Sequence, residues 1–245
     1  DVPQTQTLVL TDIDRTEEPG FANRRIPYIQ NKHDAVKTWS SRQKLGYSLR
    51  LNHGHNWRRT VPPSLYKEHP NWFAMRDDKP VPPAGRYKLE TTNPELVNFY
   101  AERAIEELTQ RPEVYSYSLS PSDSGGWSDS PASRALFETD PLGNESITPL
   151  VLNFYIDIAK QVKQAVPDRG VAGYIYTNYF FPPNDGIPPL PDNLYLILAP
   201  SMNYGYQLYR PKTQKYFKQV LGAWTNATDK IGYYDLPNWL RQSIG

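Results

Sequence analysis

The sequence contains no cysteine, which excludes disulfides, thiolate metal centres and a cysteine nucleophile. It also lacks a charge excess: 27 basic residues against 26 acidic ones leave a formal net charge of +1. No basic surplus is available to grip nucleic acid or an anionic membrane. No apolar run approaches the roughly 18 residues of a membrane-spanning helix, and none is expected. Neither a G-x-G-x-x-G turn nor a phosphate loop occurs, so the usual marks of a nucleotide-binding sheet are missing. Proline and tyrosine, by contrast, are plentiful, with 24 and 18 residues among 245. Proline at twice its usual ~5% would fit disorder in a chain poor in aromatics. Six tryptophans and eight phenylalanines join the tyrosines here, and these supply ample core. Long ordered loops carrying flat rings with polar tips fit better, and such loops suit a carbohydrate-binding face.

The apolar pattern alternates between the two periods. Candidate strands lie near 25–30, 47–52, 87–91, 114–120, 171–179, 194–198 and 231–235. Helices are predicted between them. Asp34–Leu45 has Val36 and Trp39 at helical spacing, and a helix capped by Asn93 with Pro94 in its first turn runs to Pro112. Another opens at Thr148 and Pro149, a third is capped by Thr213, and a short one opens at Pro237. Strands alternating with crossover helices argue for a parallel sheet. Polar and aromatic residues gather in the loop after almost every strand, as in a (β/α)8-type TIM barrel, whose chemistry sits on those loops. We expect such a barrel over residues 24–245, complete or short of one strand, since seven strands can be counted and no eighth follows the last. Residues 1–23 are expected to be a linker or the exit of a preceding domain.

Most glycosidases work with two carboxylates flanking the sugar. Asp123 follows the strand V-Y-S-Y-S-L-S, and Asp235 ends the strand I-G-Y-Y-D. These are the fourth and seventh candidate strands, whose tips would face each other across a barrel mouth. Glu90, in K-L-E-T-T, is a third catalytic candidate; pointing inward, it would need a partner, for which an arginine is the simplest choice. His53 and His55 form an H-x-H pair able to bind a metal, but no clear further ligand set follows, so hydrogen bonds to sugar hydroxyls are the preferred role. His69, in Y-K-E-H-P, reads as a loop anchor. Trp57, Trp127, Tyr176, Asn178, Tyr179, Asn203, Tyr204 and Tyr206 stand after strands, where rings stack on sugar C–H faces and polar tips bond hydroxyls. Each of these aromatics could equally fill the core. Arg24, Arg25, Arg58 and Arg59 could hold an acidic sugar through the planar guanidinium fork, with Arg25 the chosen candidate.

The succession N-H-G-H-N, Y-K-E-H-P-N-W-F, L-E-T-T-N-P-E, S-L-S-P-S-D-S-G-G-W, Y-I-Y-T-N-Y-F-F-P-P and W-x(6)-I-G-Y-Y-D resembles an uncharacterised domain of large secreted bacterial proteins. That domain is grouped by fold with TIM-barrel glycoside hydrolases. A small α/β domain often precedes it, like the one before the barrel in hexosaminidases and α-glucuronidases. The resemblance spans about residues 24–240. It implies a carbohydrate-active role and points to His53, His69, Glu90, Asp123 and Asp235. Many such proteins carry cysteines after S-P-x-D, where this chain reads G-G-W-S-D-S-P-A-S.

The expected function is glycoside hydrolysis of a complex glycan by carboxylate acid/base chemistry. Two alternatives stay open: a carbohydrate-binding barrel without catalysis, and a substrate-assisted enzyme like an N-acetylhexosaminidase. No cofactor and no metal are expected. The expected partner is an oligo- or polysaccharide, met outside the cell or in the periplasm by one piece of a larger multidomain chain.

Overall fold

Helical periodicity with defined end signals accounts for most of the secondary structure. The computed structural model describes residues 14, 16, 18–26, 33–200 and 210–234. The chain divides into two compact units, Asp1–Arg50 and Leu51–Gly245.

In the first unit, β1 (Asn23–Arg24) pairs antiparallel with β2 (Gly46–Tyr47), and α1 (Asp34–Arg42) lies between them in sequence. The expected strand at 47–52 is therefore reduced to its first residue. The expected strand at 25–30 is displaced to Asn23–Arg24, residues 27–30 lying outside the described residues. The Arg24 guanidinium donates to the carbonyls of Lys44, at 2.6 Å, and Phe21.

The second unit carries α2 (Trp57–Thr60), β3 (Met75–Arg76), β4 (Lys79–Pro80), α3 (Pro94–Gln110) and β5 (Ser116–Ser118). Then come α4 (Pro131–Arg134), β6 (Glu138–Thr139), β7 (Glu145–Ser146), α5 (Thr148–Ala165) and β8 (Gly170–Ile175). β9 (Leu194–Leu198), α6 (Pro211–Ala227) and β10 (Ile231–Tyr233) complete it. Asn93 caps α3 as its sequence predicts, its side-chain oxygen accepting from the amides of Glu95 at 2.9 Å and Leu96 at 3.2 Å. α6 begins ahead of the expected Thr213 cap because Pro211, with its φ already helical, occupies the first turn.

The protein is a mixed α/β structure. Strands β5, β8, β9 and β10 form a parallel four-stranded sheet in that order. Tyr117 of β5 and Leu119 just beyond it, Val171 and Ile175 of β8, and Leu194, Leu196 and Leu198 of β9 enter one core with the apolar faces of α3, α5 and α6. Tyr174 and Ile197 alternate to the other side and join a smaller cluster with Ala199, Leu51 and Tyr234.

The outer edge of β5 is joined in an unusual way. Residues 52–56 run beside it in the same direction, held chiefly by serine side chains. The Asn52 amide donates to Ser116 Oγ at 2.8 Å, Ser118 Oγ donates to the Gly54 carbonyl, and Ser120 Oγ donates to the His53 carbonyl at 2.6 Å. One main-chain bond follows, from the Asn56 amide to the Ser120 carbonyl at 3.0 Å. Three serines at alternate positions share one side of the strand and bond to this stretch, and Ser120 Oγ also accepts from the Tyr174 amide of β8 at 3.0 Å. Ser118→Ala leaves the part-buried bond to the Gly54 carbonyl unmade. It is expected to lower unfolding stability by about 1 kcal/mol, read from the urea midpoint.

Three further strand expectations are corrected. At 87–91 only Leu89 pairs, with Phe73, through two main-chain bonds, Ala74 N–H to the Lys88 carbonyl at 3.1 Å and Glu90 N–H to the Trp72 carbonyl at 2.9 Å. The strand expected at 114–120 is confined to Ser116–Ser118, and that at 171–179 ends at Ile175, where Tyr176 leads into a short 3-10 turn with Thr177 at φ +52°. A closed eight-stranded barrel is not what the described strands form; they form one parallel sheet and three two-stranded pairs. The helix expected at Pro237 lies outside the described residues.

Candidate functional site

The carboxyl ends of parallel strands point their last side chains into the loops that follow, and polar chemistry gathers there. Asp123 stands five residues beyond β5, in the S-P-S-D-S-G-G loop. Its Oδ2 accepts from Arg86 Nη1 at 2.9 Å and its Oδ1 from the Tyr176 hydroxyl at 2.9 Å. Tyr176 directly follows β8. Burial, and then the Asp123 carboxylate it donates to, push the Tyr176 phenol well above the ordinary tyrosine range, so it remains a donor.

Rings extend from this point in both directions. Tyr176 lies edge-on to Tyr174 at 5.7 Å between centroids and to Tyr179 at 5.1 Å. Tyr174 meets His53 at 5.2 Å, His55 at 5.4 Å and Tyr234 at 5.9 Å. On the other side Tyr179 meets Trp127 at 5.7 Å. The two histidines of N-H-G-H-N are thus brought to Tyr174 and Tyr176. His55 is exposed, with Nδ1 against the Pro121 carbonyl. Among the described residues no group of His, Asp and Glu could hold a metal ion.

A buried cation lies beside Asp123. Lys88 is 2% exposed. Its Nζ donates to the Ser122 carbonyl at 2.6 Å, reaches Ser124 Oγ at 3.5 Å and sits 5.1 Å from the centroid of the Trp127 ring. Burial lowers its pKa to about 8, against the opposing pull of Asp123. Ser124 holds φ at +120°, a conformation that costs a non-glycine residue about 1–3 kcal/mol and that only surrounding contacts can maintain.

Glu90 is also buried, and its partners are hydroxyls rather than the expected arginine. Thr92 and Ser133 donate to Oε1, the latter at 2.7 Å, and Ser128 donates to Oε2. The carboxylate thereby ties residues 90–92 to Ser128 ahead of α4 and to Ser133 within it. Glu90→Gln puts an amide against a donor already in place. A loss of about 1–3 kcal/mol is expected, measured by thermal or urea denaturation.

The other sequence candidates divide clearly. Trp57 is fully buried, edge-on to Trp127 and Phe154, with its indole N–H on the Leu119 carbonyl at 2.8 Å. Trp127 and Tyr179 are buried too, so both line the site from within the core. Asn178 is half-buried, and its main-chain carbonyl accepts from Ile147. His69 stacks on Trp72 at 3.8 Å, which anchors its loop. Arg58 donates to the Gly85 carbonyl and Arg59 pairs with Glu107. Arg25 is exposed in the first unit. Asp235, Asn203, Tyr204 and Tyr206 lie outside the described residues. A hollow on α6, lined by Pro211, Gln214, Lys215, Lys218 and Gln219, contains none of these groups. Arg86 and Lys88 were not candidates, although R-Y-K-L-E carried a signal: Tyr87 and Leu89 alternate into the core, which sends 86, 88 and 90 to the opposite side.

Among the described residues no helix is long and apolar enough to cross a membrane. A family model described as a Domain of unknown function matches residues 1–242. No curated protein and no solved structure matches the chain.

Proposed function

We propose that this chain, which belongs to the Domain of unknown function family DUF4838, is a glycoside-hydrolase-like domain that cleaves a complex glycan with Asp123 and Asp235 as its carboxylates. The observation that carries this reading is Asp123 itself. It lies half-exposed beyond a parallel strand, fixed by Arg86 and Tyr176, beside the middle of a row of rings. Trp127, Tyr179 and Tyr174 are buried, and the members of the row that reach solvent, Tyr176, His53, His55 and Tyr234, would stack on sugar faces or meet hydroxyls. Asp123 would serve as acid/base at the glycosidic bond, with Asp235 as its partner. Both Asp123 oxygens already accept hydrogen bonds, from Arg86 and Tyr176.

The barrel belongs to the same proposal. Parallel strands in unreversed chain order, with their helices packed into one core, suit the wall of a (β/α) barrel better than a doubly wound sheet. The stretch 52–56 would be a further stave of that wall. The glycan would be met outside the cell or in the periplasm.

The same occupancy of both Asp123 oxygens supports a second reading, a barrel that holds glycan without cleaving it. The test is a glycan panel assayed for both hydrolysis and binding with the wild type, Asp123→Asn and Asp235→Asn. Hydrolysis that survives in both variants overturns the assignment. Binding without hydrolysis in the wild type establishes the second reading.

A further inference from the structure

Asp123 is fixed from both ends of a three-residue segment. Arg86 donates from its side chain to the Asp123 carboxylate, and its own carbonyl accepts from Ser124 Oγ at 2.9 Å. Two residues on, Lys88 donates to the Ser122 carbonyl and reaches the same Ser124 hydroxyl. Residues 86–88 therefore clasp 122–124, with the positive-φ residue Ser124 held on both sides.

The two arms of the clasp are not equal. Arg86 and Asp123 have side chains 69% and 48% exposed, and an ion pair so open to water is weakly restraining. Lys88 is 2% exposed and covered by the Trp127 ring. A charged donor in that setting makes the stronger bond, and its carbonyl acceptor has little water to replace it. Burying an unpaired ammonium is costly. A lysine whose only duty was packing would be better served by methionine, so the charge here is held for what it fixes.

We propose that Lys88 is the positioning residue of the site: from beneath the S-P-S-D loop its ammonium holds the Ser122 carbonyl before Asp123 and the Ser124 hydroxyl after it, and so sets where that carboxylate points. This rests on Asp123 being the working group, whether the glycan is cleaved or only bound. The groups whose charge bears on Lys88 are Asp123, which favours its charged form, and Arg86, which opposes it.

The test uses the whole chain and needs no glycan, so its failure is distinct from failure of the functional reading. In Lys88→Met, backbone ¹⁵N order parameters at residues 122–126 are expected to fall below about 0.6, with those in α3 and α5 retained. Order parameters unchanged in the loop, or lowered equally everywhere, overturn the proposal. A second measurement stands even if that variant does not fold. In the wild type the Lys88 side-chain carbon signal should titrate at about 8. The midpoint should fall by roughly half a unit or more in Asp123→Asn and rise in Arg86→Gln, because an opposite charge favours the ammonium and a like charge opposes it. Midpoints that stay put in both variants overturn the coupling.

Discussion

Asp123→Asn is expected to lower turnover of a cleaved glycan by a factor of about 10² to 10⁴, the contribution typical of a positioned acid or base. The substitution keeps the shape of the side chain. Asparagine can still accept from Tyr176 at one oxygen, but its amide confronts Arg86, which can only donate. Because that pair is exposed on both sides, the stability change should stay under about 1 kcal/mol. Loss of turnover with an intact fold is therefore the expected signature, seen by comparing initial rates with the denaturation midpoint. Glycan affinity should change far less than rate, since the rings that would carry it remain. Asp235→Asn should give a loss of similar order if the two act as a pair. The separation of the two carboxyls then predicts the outcome: about 5–5.5 Å for retention and about 6.5–9.5 Å for inversion.

The largest stability effect is expected at Gly173, in the middle of β8. A Cβ built there would lie 2.3 Å from Tyr155 Cε2 and 2.4 Å from Cζ. Tyr155 cannot retreat easily. It is fully buried, and its hydroxyl donates to the Tyr174 carbonyl at 3.2 Å. Gly173→Ala should thus cost about 3 kcal/mol, at the upper end for overpacking, measured by urea unfolding. Gly232 offers the contrast. Its added Cβ would meet Ile197 Cδ1 at 2.6 Å, the far end of a flexible side chain, so Gly232→Ala should cost much less. If the ring is the cause, Tyr155→Leu should recover part of the Gly173→Ala loss, and a double-mutant cycle reads this as a favourable coupling. Strictly additive losses would discard the explanation.

The parts legible in the sequence were those whose signal is local. α3 and α5 have a four-turn apolar stripe with Pro in the first turn, and β9 is an unbroken apolar run. Asp123 and Tyr176 were legible because both follow strand-like runs. The join of residues 52–56 to β5 was not, since hydroxyl-to-carbonyl bonds leave no period in the chain. Lys88 escaped for a different reason: lysine is rarely buried, so composition rules assign it to the surface. Trp57 and Trp127 illustrate the converse. An aromatic after a strand suits a sugar platform and a core alike, and only tertiary packing, which put both inside, separates the two.

The serine join beside β5 has a consequence for how the molecule breathes. Backbone ladders form and break cooperatively, because each bond pre-aligns the next. Hydroxyls on separate side chains are not so coupled, and on the facing stretch Asn52 and Gly54 are exposed, so water can reach their main-chain groups while the buried serines stay in place. That makes the border between residues 52–56 and β5 a row of separate stitches in an otherwise continuous fabric, and the natural first place for local opening. His53 and His55 are threaded on that row, so the two imidazoles can shift against Tyr174 without unravelling the sheet behind them.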